Sequence, residues 1–500
     1  MKYYNPVVRG MYPDPSICMG EEKYYMVCSS FHLFPGVPLF ESEDMVNWRQ
    51  IGHCITRSSQ IDLEGVPSSG GIFAPTIRYH HGRYYMVTTN DSSHRNFYVY
   101  TDNIYGEWSE PVFVEQGGID PSLFFEGEDT YFVSNGTDVD GKGCIQICQI
   151  DIETGQKLSE SRVLWKGTGG RYIEAPHLYH FEEYYYLIEA EGGTEYGHMV
   201  NCARSKTIMG EYESCPNNPL LTNRNLGGYQ LQGAGHGDIL EDKHGNWWFM
   251  HLAFRQIGRW ETFHHLGRET CLEPLYWGKD GWPIIGTDGT ARLEVQVPDS
   301  ISFEKQVFTY DKTFENLDWK KDWCYLRIPE KENYKFSGKE LRLRGTKTDL
   351  MEAASPTFLG IRQSEFKIQI SCLVECGMQE AGISLYMDEK HHYEVAVSQT
   401  EEGIEIFSRA TIGSLTGKLG SIKGQEKQVQ LMIEADEREY HFYCVSGREK
   451  IGLGKMETRY LSSEVAGGFT GVLIGLYAVD GAESRKEWAA FQEFHLIYKE

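Results

Sequence analysis

Three carboxylic acid side chains occupy nearly corresponding positions in a motif that is repeated through the first half of the sequence. Asp14 and Asp120 each come directly before a proline, and Glu174 lies two residues before the next proline of the series. Where such repeats converge in a fold, like charges gathered in one cleft raise the pKa of at least one carboxyl group. One protonated acid beside one ionised carboxylate is the combination that cleaves glycosidic bonds. The spacing therefore predicts acid–base chemistry where the repeats meet.

A fourth acid, Glu191, competes with Glu174 for the role of the protonated acid. It lies at the far end of the hairpin that Glu174 begins, and the antiparallel return brings it towards the same face. Glu191 is out of phase with the other three acids, however, and a glutamate before two glycines is typical of a turn. We therefore predict that Glu174 is the acid, with Glu191 as the alternative.

The repeat that positions these acids occurs five times before residue 250. Each copy is a short motif followed by two strands that are joined by a polar turn. Four of the five motifs contain a proline. The prolines are Pro15, Pro75, Pro121 and Pro176, spaced 46 to 60 residues apart, and a looser fifth copy begins at Gly237. A four-stranded propeller blade takes roughly 40–50 residues before insertions. The sequence predicts an all-β fold in which residues 1–302 form a five-bladed β-propeller.

The second half of the sequence, residues 303–500, has a different pattern. Ile368 and Ile370 alternate with polar residues, and Val429, Leu431 and Ile433 do the same. Strands with one buried and one wetter face are typical of two packed sheets, so we predict a β-sandwich. The glycine-rich run 467–477 predicts a further strand, buried on both faces. No residue in this half suggests chemistry.

Composition limits the classes of ligand and the compartment. A formal net charge of -24 disfavours binding to nucleic acid or to an anionic membrane. The twelve cysteines show no CxxC spacing, so neither a zinc site nor a disulfide framework is predicted. Residues 1–6 lead into the first repeat without an apolar signal segment, and we expect a soluble cytoplasmic protein. Whether it forms a homo-oligomer stays open.

Eight short motifs follow one another in an order that resembles glycoside hydrolase family 43. They are residues 12–16, 29–38, 71–75, 118–122, 174–179, 190–194, 235–238 and 266–270. The likeness is closest to the β-xylosidases and α-L-arabinofuranosidases, which carry a five-bladed propeller followed by a concanavalin-like β-sandwich. The resemblance implies an exo-acting, inverting hydrolase that releases terminal xylose or arabinofuranose from small oligosaccharides.

The resemblance gives each carboxyl group a role. Asp14 matches the general base that activates water, and Glu174 matches the general acid. Asp120 matches the helper that orients Glu174 and tunes its pKa. In an inverting enzyme the base and the acid lie about 6.5–9.5 Å apart, which leaves room for the attacking water.

The resemblance also implies a pocket for the terminal sugar. Arg268 matches an arginine that contacts the substrate and the catalytic carboxylates, and Thr194 matches a pocket residue. Phe31 and Phe73 fall where the family lines this pocket with aromatic rings. Many relatives have tryptophan at the position of Phe73 and glycine at that of Ala175, so the choice between xylose and arabinofuranose stays open.

His236 matches a histidine that holds a structural calcium ion in some relatives, usually through water. The chemistry itself requires no cofactor in this family. Calcium prefers oxygen ligands, and one imidazole does not define a calcium site. The calcium ion is therefore an expectation that rests on the resemblance alone.

Two other functions remain open at this stage. A glycoside phosphorylase on the same scaffold needs several basic residues for phosphate, and the motifs offer mainly Arg268. The second is a sugar-binding propeller without catalysis. Three acids in phase disfavour it, because crowded and partly buried like charges lower the stability of the fold unless they serve a function.

Overall fold

The computed structural model describes residues 1–308, 311–401, 403–424, 426–481 and 487–498. Strands dominate this part of the chain, and the all-β prediction is confirmed. Its helical segments are short: the α-helix Ser463–Ala466 and the 3₁₀ helices Asp91–Ser93, Lys331–Asn333 and Thr458–Leu461. Within the described ranges, no helix is long and apolar enough to cross a lipid bilayer.

Residues 1–308 contain five consecutive four-stranded sheets, each an antiparallel meander. We number them sheets 1 to 5 in chain order. Sheet 1 comprises Ser16–Met19, Tyr24–Val27, Gly36–Ser42 and Arg49–Ile55, and sheet 2 comprises Thr76–His80, Arg83–Asn90, Arg95–Thr101 and Val112–Val114. Sheet 3 comprises Ser122–Glu126, Asp129–Thr137, Gly143–Ile150 and Arg162–Trp165. Sheet 4 comprises Glu174–Phe181, Tyr184–Glu191, Met199–Ser205 and Glu213–Ser214, and sheet 5 comprises Leu231–Glu241, Trp247–Arg255, Glu269–Trp277 and Pro283–Ile285.

Side-chain hydrogen bonds join the first strands of the five sheets to one another. Sheet 1 is joined to sheet 5 by Ser16 and Asp238, and to sheet 2 by Ser16 and the Ile77 amide. The remaining links are Thr76 to the Pro121 carbonyl, Ser122 to the Pro176 carbonyl, and Tyr179 to Asp238. These bonds connect sheets 2 and 3, 3 and 4, and 4 and 5. The starts of the first strands therefore lie close together, and with them Asp14 and Asp120, just before their strands, and Glu174, the first residue of its strand.

The first and fifth sheets are also tied together by the chain ends of this half. The strand Lys2–Tyr4 pairs with Glu294–Gln296, which follows sheet 5. Met26 of sheet 1 and Met250 of sheet 5 are fully buried in one apolar cluster with Tyr3. Near-continuous apolar second strands are expected where a sheet is covered on both faces.

The second half forms two sheets around a shared apolar core. The eight-stranded sheet comprises Asp311–Thr313, Tyr334–Ser337, Glu340–Leu343, Ile368–Glu375, Gln428–Ala435, Glu439–Ser446, Glu449–Glu457 and Ala489–Tyr498. The six-stranded sheet comprises Thr357–Arg362, Glu380–Asp388, His391–Thr400, Gly403–Ile412, Leu415–Gly424 and Leu473–Val479. The core includes Ile370, Ile383 and Leu431 from the two sheets, so the predicted sandwich is confirmed.

The prediction of one strand over residues 467–477 is wrong for its first part. The strand begins only at Leu473, and residues 467–472 form a loop. Gly467 and Gly468 both have positive φ angles, 76° and 67°, which a regular strand does not allow. The loop lies against the first half: the Val472 amide donates to the His265 carbonyl, 2.9 Å away.

The two halves are joined by further contacts. Leu33–Phe34 pairs with Tyr325–Leu326 in a two-stranded sheet. Arg327 is fully buried, donates to the carbonyl oxygens of Val66 and Ala354, and forms an ion pair with Glu389. The sandwich is thereby fixed on the side of the molecule where the first strands of the sheets begin.

Candidate active site

The predicted acids lie at or next to turns that share one unusual backbone conformation. Asp14, Asp120 and Ala175 each precede a proline and have left-handed φ angles of 56°, 53° and 55°. Non-glycine residues rarely adopt this conformation, which costs of order 1–3 kcal/mol, and it concentrates at functional sites. The same turn therefore begins sheets 1, 3 and 4, and it fixes where each strand enters the site.

Asp14 is buried in a polar pocket. Its Oδ1 accepts a hydrogen bond from Nη1 of Arg268, 2.9 Å away, and its Oδ2 accepts one from Oγ of Ser29, 2.6 Å away. Burial opposes ionisation, but the charge of Arg268, assisted by His236 and the Ser29 hydroxyl, outweighs it and lowers the pKa of Asp14. Asp14 is therefore a carboxylate over the whole neutral range.

Glu174 has the opposite electrostatic environment. Burial, and then the negative charge of Asp14, raise the pKa of Glu174 to about 7, against the opposing charge of Arg268. Burial and the charges of Glu174 and Asp14 also raise the pKa of Asp120 well above its ordinary range. Because its pKa is about 7, Glu174 keeps its proton for part of the time at neutral pH, where Asp14 is ionised.

Asp120 also contacts the backbone beside Glu174. Its Oδ2 accepts a hydrogen bond from the amide of Ala175, 3.1 Å away. This bond fixes the left-handed turn that follows Glu174, and so the direction in which the Glu174 side chain leaves the backbone.

Arg268 connects two predicted site residues. The same Nη1 that donates to Asp14 also lies 2.8 Å from Oγ1 of Thr194. Arg268 immediately precedes the third strand of sheet 5, and Thr194 lies in the loop that follows the second strand of sheet 4. The structure thus brings Asp14, Thr194 and Arg268 together.

Three phenylalanine rings form an aromatic cluster beside Arg268. Phe31 and Phe73 have ring centroids 5.9 Å apart, and both rings lie 5.5 Å from Phe469. The Arg268 guanidinium lies 5.0 Å from the ring of Phe469 and 5.8 Å from that of Phe31. The apolar faces of a sugar ring pack well against such a cluster.

Phe469 was missed by the sequence analysis, because it belongs to the second half, for which no chemistry was predicted. Its loop is anchored on the first half: the Phe469 amide donates to Oγ of Ser69, 2.8 Å away. Glu464, just before the loop, accepts hydrogen bonds from His264 and Tyr196. The flanking glycines of residues 467–471 were the available signal, because a glycine-rich segment around one aromatic residue is typical of a loop close to a ligand.

A cavity of about 420 Å³ opens between this loop and the first half. Its lining includes Thr194, Tyr196, Phe254, Arg268 and Phe469. This volume lies within the usual range of small-molecule pockets, roughly 300–1,000 Å³. The cavity has space for a small ligand next to Arg268.

Glu191, the alternative acid, has other contacts in the structure. Its carboxylate accepts hydrogen bonds from the amides of Thr168 and Gly170, each 2.5 Å away, and from Oγ1 of Thr168. The side chain is fully buried. Glu191 therefore supports the loop that precedes Glu174, and both of its carboxylate oxygens are occupied by these donors.

The surroundings of His236 do not fit a calcium ion. Its Nδ1 lies 3.6 Å from Asp14, and the next carboxylate, Asp238, is already satisfied. Asp238 accepts from both terminal nitrogens of Arg78, at 2.7 and 3.1 Å, and from Ser16 and Tyr179. The Arg78 guanidinium supplies a positive charge next to His177, where it would repel a metal ion. The described residues contain no group of three His, Cys, Asp or Glu side chains suited to a metal.

A buried carboxylate, a protonated carboxyl group and an aromatic pocket together define a glycoside hydrolase site. Comparison with known proteins agrees with this class. The family model for glycosyl hydrolases family 43 matches residues 3–283, and the β-xylosidase C-terminal concanavalin A-like domain matches residues 311–496. This chain is a member of glycoside hydrolase family 43.

Similar proteins match along nearly the whole chain. A non-reducing end α-L-arabinofuranosidase of Bacteroides ovatus is 36% identical over 98% of this chain and 94% of its own length. A xylosidase/arabinosidase of Butyrivibrio fibrisolvens is 35% identical over 98% of both proteins. A β-xylosidase of Bacillus subtilis is 32% identical over 96% of this chain and 97% of its own.

Solved structures show the same relationship. Bacteroides ovatus xyloglucan PUL GH43B superposes with a TM-score of 0.92 at 35% identity and covers 100% of both chains. The xylan β-1,4-xylosidase of Bacillus halodurans has a TM-score of 0.92 at 31% identity over 99% of this chain and 100% of its own.

Proposed function

We propose that this enzyme removes terminal xylose or arabinofuranose from short oligosaccharides in a single inverting displacement. In this proposal Asp14 is the general base, Glu174 the general acid and Asp120 the residue that positions Glu174. The observation that carries it is the electrostatic contrast within one site: Arg268 lowers the pKa of Asp14, while that of Glu174 is raised to about 7.

The reaction follows from these protonation states. Glu174 donates its proton to the glycosidic oxygen as the bond from that oxygen to the anomeric carbon breaks. A water molecule attacks the same carbon from the opposite face, and Asp14 accepts the proton that this water loses. The products are a free sugar of inverted configuration and an oligosaccharide shortened by one unit.

Arg268 has two functions in this scheme. Its charge keeps Asp14 ionised, and its hydrogen bonds fix Asp14 and Thr194 relative to each other. A guanidinium held in this way is preorganised, so no reorganisation is needed when charge develops during the reaction.

The aromatic cluster supports an exo mode of action. Phe469 and its loop cover one side of the site, and Phe31 is almost completely buried behind it. A pocket closed in this way accepts the end of a chain and excludes its middle. The relatives named for xylosidase and arabinofuranosidase activities support a pentose in this position.

We further propose that sheets 1 to 5 are the blades of a five-bladed β-propeller over residues 1–302, with the sandwich at 303–500. The hydrogen bonds between first strands support it, because they link the sheets in the order 5, 1, 2, 3, 4 and return from 4 to 5. An experimental structure with an open arc of sheets would contradict this arrangement.

The proposal includes no metal ion, because Arg78 already supplies the positive charge beside Asp238 and His177. It places the enzyme in the cytoplasm. All twelve cysteines are free and buried, as expected for a protein of a reducing compartment.

The experiment compares hydrolysis of 4-nitrophenyl β-xyloside and 4-nitrophenyl α-L-arabinofuranoside, with and without inorganic phosphate. The proposal predicts turnover of at least one substrate at a rate independent of phosphate. Formation of a sugar 1-phosphate only when phosphate is present would indicate the phosphorylase. No turnover of either substrate would favour the binding protein.

A further inference from the structure

Two buried glutamates lie on the second strand of sheet 4, on the same face and two residues apart. Glu189 and Glu191 are 1% and 0% exposed. In the part of the chain that the structure describes, neither forms an ion pair with a lysine, arginine or histidine. Two ionised carboxylates without a cation in such a place would cost several kcal/mol.

The two glutamates differ in their hydrogen bonds. Glu191 accepts from the Thr168 and Gly170 amides and from the Thr168 hydroxyl, so both of its oxygens have donors. Neither oxygen of Glu189 has a partner of normal geometry among the described residues. Two ionised carboxylates cannot donate to each other, so a hydrogen bond from Glu189 to Glu191 requires a proton on Glu189.

The groups around Glu189 agree with this assignment. Burial, then the charge of Glu191 and a hydrogen bond to it, raise the pKa of Glu189 well above its ordinary range, against the donors Asn201 and Trp165. Asn201 lies directly opposite Glu189 on the neighbouring strand. Lys166, which precedes Gly167, forms an ion pair with Asp138.

Glu191 contacts the segment of residues 166–173. We name it the approach segment because it leads directly to Glu174. Gly167 and Gly170 pass so close to Glu191 that a methyl group on either would collide with its carboxylate. The Arg171 carbonyl accepts a hydrogen bond from the Gly192 amide, 2.8 Å away, immediately after Glu191. The position of the approach segment thus depends on the Glu191 carboxylate.

We propose that Glu189 and Glu191 share one proton, and that this pair is a positioning device that holds the approach segment and thereby the general acid Glu174. The inference rests on the proposed role of Glu174. Loss of the shared proton places two negative charges side by side under the approach segment, and their repulsion displaces it. Catalysis that depends on Glu174 then fails at alkaline pH for a reason separate from the titration of Glu174 itself.

The proton is tested directly by infrared spectroscopy at pH 7. The spectrum of the wild type minus that of Glu189→Gln should contain the carbonyl band of a protonated carboxylic acid. Glu174, Asp120 and other protonated acids are present in both proteins and cancel. Absence of the band would overturn the shared proton, and this measurement does not depend on the role of Glu174.

The positioning is tested by kinetics with a poor and an activated leaving group. Glu189→Ala removes the donor and should lower kcat on a xylo-oligosaccharide at least tenfold more than on a 4-nitrophenyl glycoside. Glu189→Gln keeps an N–H donor. Its ratio of kcat on the 4-nitrophenyl glycoside to kcat on the xylo-oligosaccharide should therefore lie within about threefold of the wild-type ratio. On the xylo-oligosaccharide, kcat of Glu189→Gln should fall less steeply at alkaline pH than kcat of the wild type, because only the titration of Glu174 then remains.

Several results would contradict the inference. Equal losses of Glu189→Ala on both substrates, in a protein with a native circular dichroism spectrum, would show a merely structural role. Identical alkaline limbs for the wild type and Glu189→Gln would overturn the proton dependence. If Glu174→Ala loses the same factor in kcat on both substrates, Glu174 is not the general acid. The infrared measurement tests the shared proton independently of that outcome.

Discussion

Arg268 and Asp14 form a buried ion pair, with Nη1 2.9 Å from Oδ1, and each side chain is less than one tenth exposed. The pair joins sheet 5 to sheet 1 across 254 residues of sequence. The same guanidinium opposes, but does not cancel, the upward shift in the pKa of Glu174. The charge of Arg268 thus keeps Asp14 ionised, while the pKa of Glu174 stays raised at about 7.

The pH dependence of kcat/KM should report this separation. On a xylo-oligosaccharide, kcat/KM should fall about tenfold per pH unit above pH 7, because Glu174 must be protonated and its pKa is about 7. Because the pKa of Asp14 is lowered, the acid limb should lie below the ordinary aspartate value of about 3.9. An alkaline limb above pH 9 would contradict the assignment of Glu174.

Replacing the two main carboxyl groups should have different effects. Glu174→Ala should slow hydrolysis of a xylo-oligosaccharide by about 10²–10⁴-fold and that of an activated aryl glycoside far less, because a good leaving group needs little protonation. Asp14→Ala should be nearly inactive on both substrates, since water must be activated in either case. The selective loss appearing in Glu191→Ala, but not in Glu174→Ala, would reverse the assignment.

Arg268→Ala should impair catalysis through Asp14. Loss of the cation removes the main interaction that lowers the pKa of Asp14, so the acid limb of the pH–rate profile should move to higher pH. We expect kcat to fall by about 10²–10³-fold, the usual cost of removing one preorganised charge or donor. A variant with unchanged pH dependence would show that Arg268 only binds substrate.

Phe469 should contribute mainly to binding of the terminal sugar. Phe469→Ala removes one face of the aromatic cluster and should raise KM about tenfold, a loss of ~1.4 kcal/mol, with a smaller effect on kcat. Val465→Ala is the matched control, because Val465 lies in the preceding helix and is 41% exposed. Equal effects of the two substitutions would indicate a general loosening of the loop.

Chelation should leave the activity unchanged, because the charge beside Asp238 comes from Arg78. Dialysis against EDTA followed by assay with and without added calcium tests this expectation. A loss of activity that calcium restores would mean that a metal ion binds despite Arg78.

The sequence predicted those parts of the site that are encoded in the repeat. Asp14 and Asp120 precede proline in phase, and that phase placed them together, as the structure does. Phe469 could not be placed in this way, because its partner Ser69 is 400 residues away and the contact depends on how the sandwich docks. The glycine-rich run of residues 467–477 predicts a strand over its whole length because its apolar residues also suit a sheet.

Buried polar networks were equally hidden in the sequence. The pairing of Arg78 with Asp238 spans 160 residues, and although Asp238 lies in the motif of residues 235–238, Arg78 belongs to none of the eight motifs. Glu189 is visible in the sequence, because it stands between Ile188 and Ala190 in a strand whose other charged residue, Glu191, is at its end. A charge inside such a strand indicates a buried polar contact, but its partner emerges only from the pairing of strands in space.

The central claim is that Asp14 activates a water molecule for a single displacement, with Glu174 as the acid. Proton NMR during hydrolysis of a β-xyloside by the wild-type enzyme tests it most directly. A base that directs water to the face opposite the leaving group should release α-xylose first, with β-xylose appearing only through mutarotation. Initial release of β-xylose would show attack by a carboxylate on the sugar itself and would contradict the account.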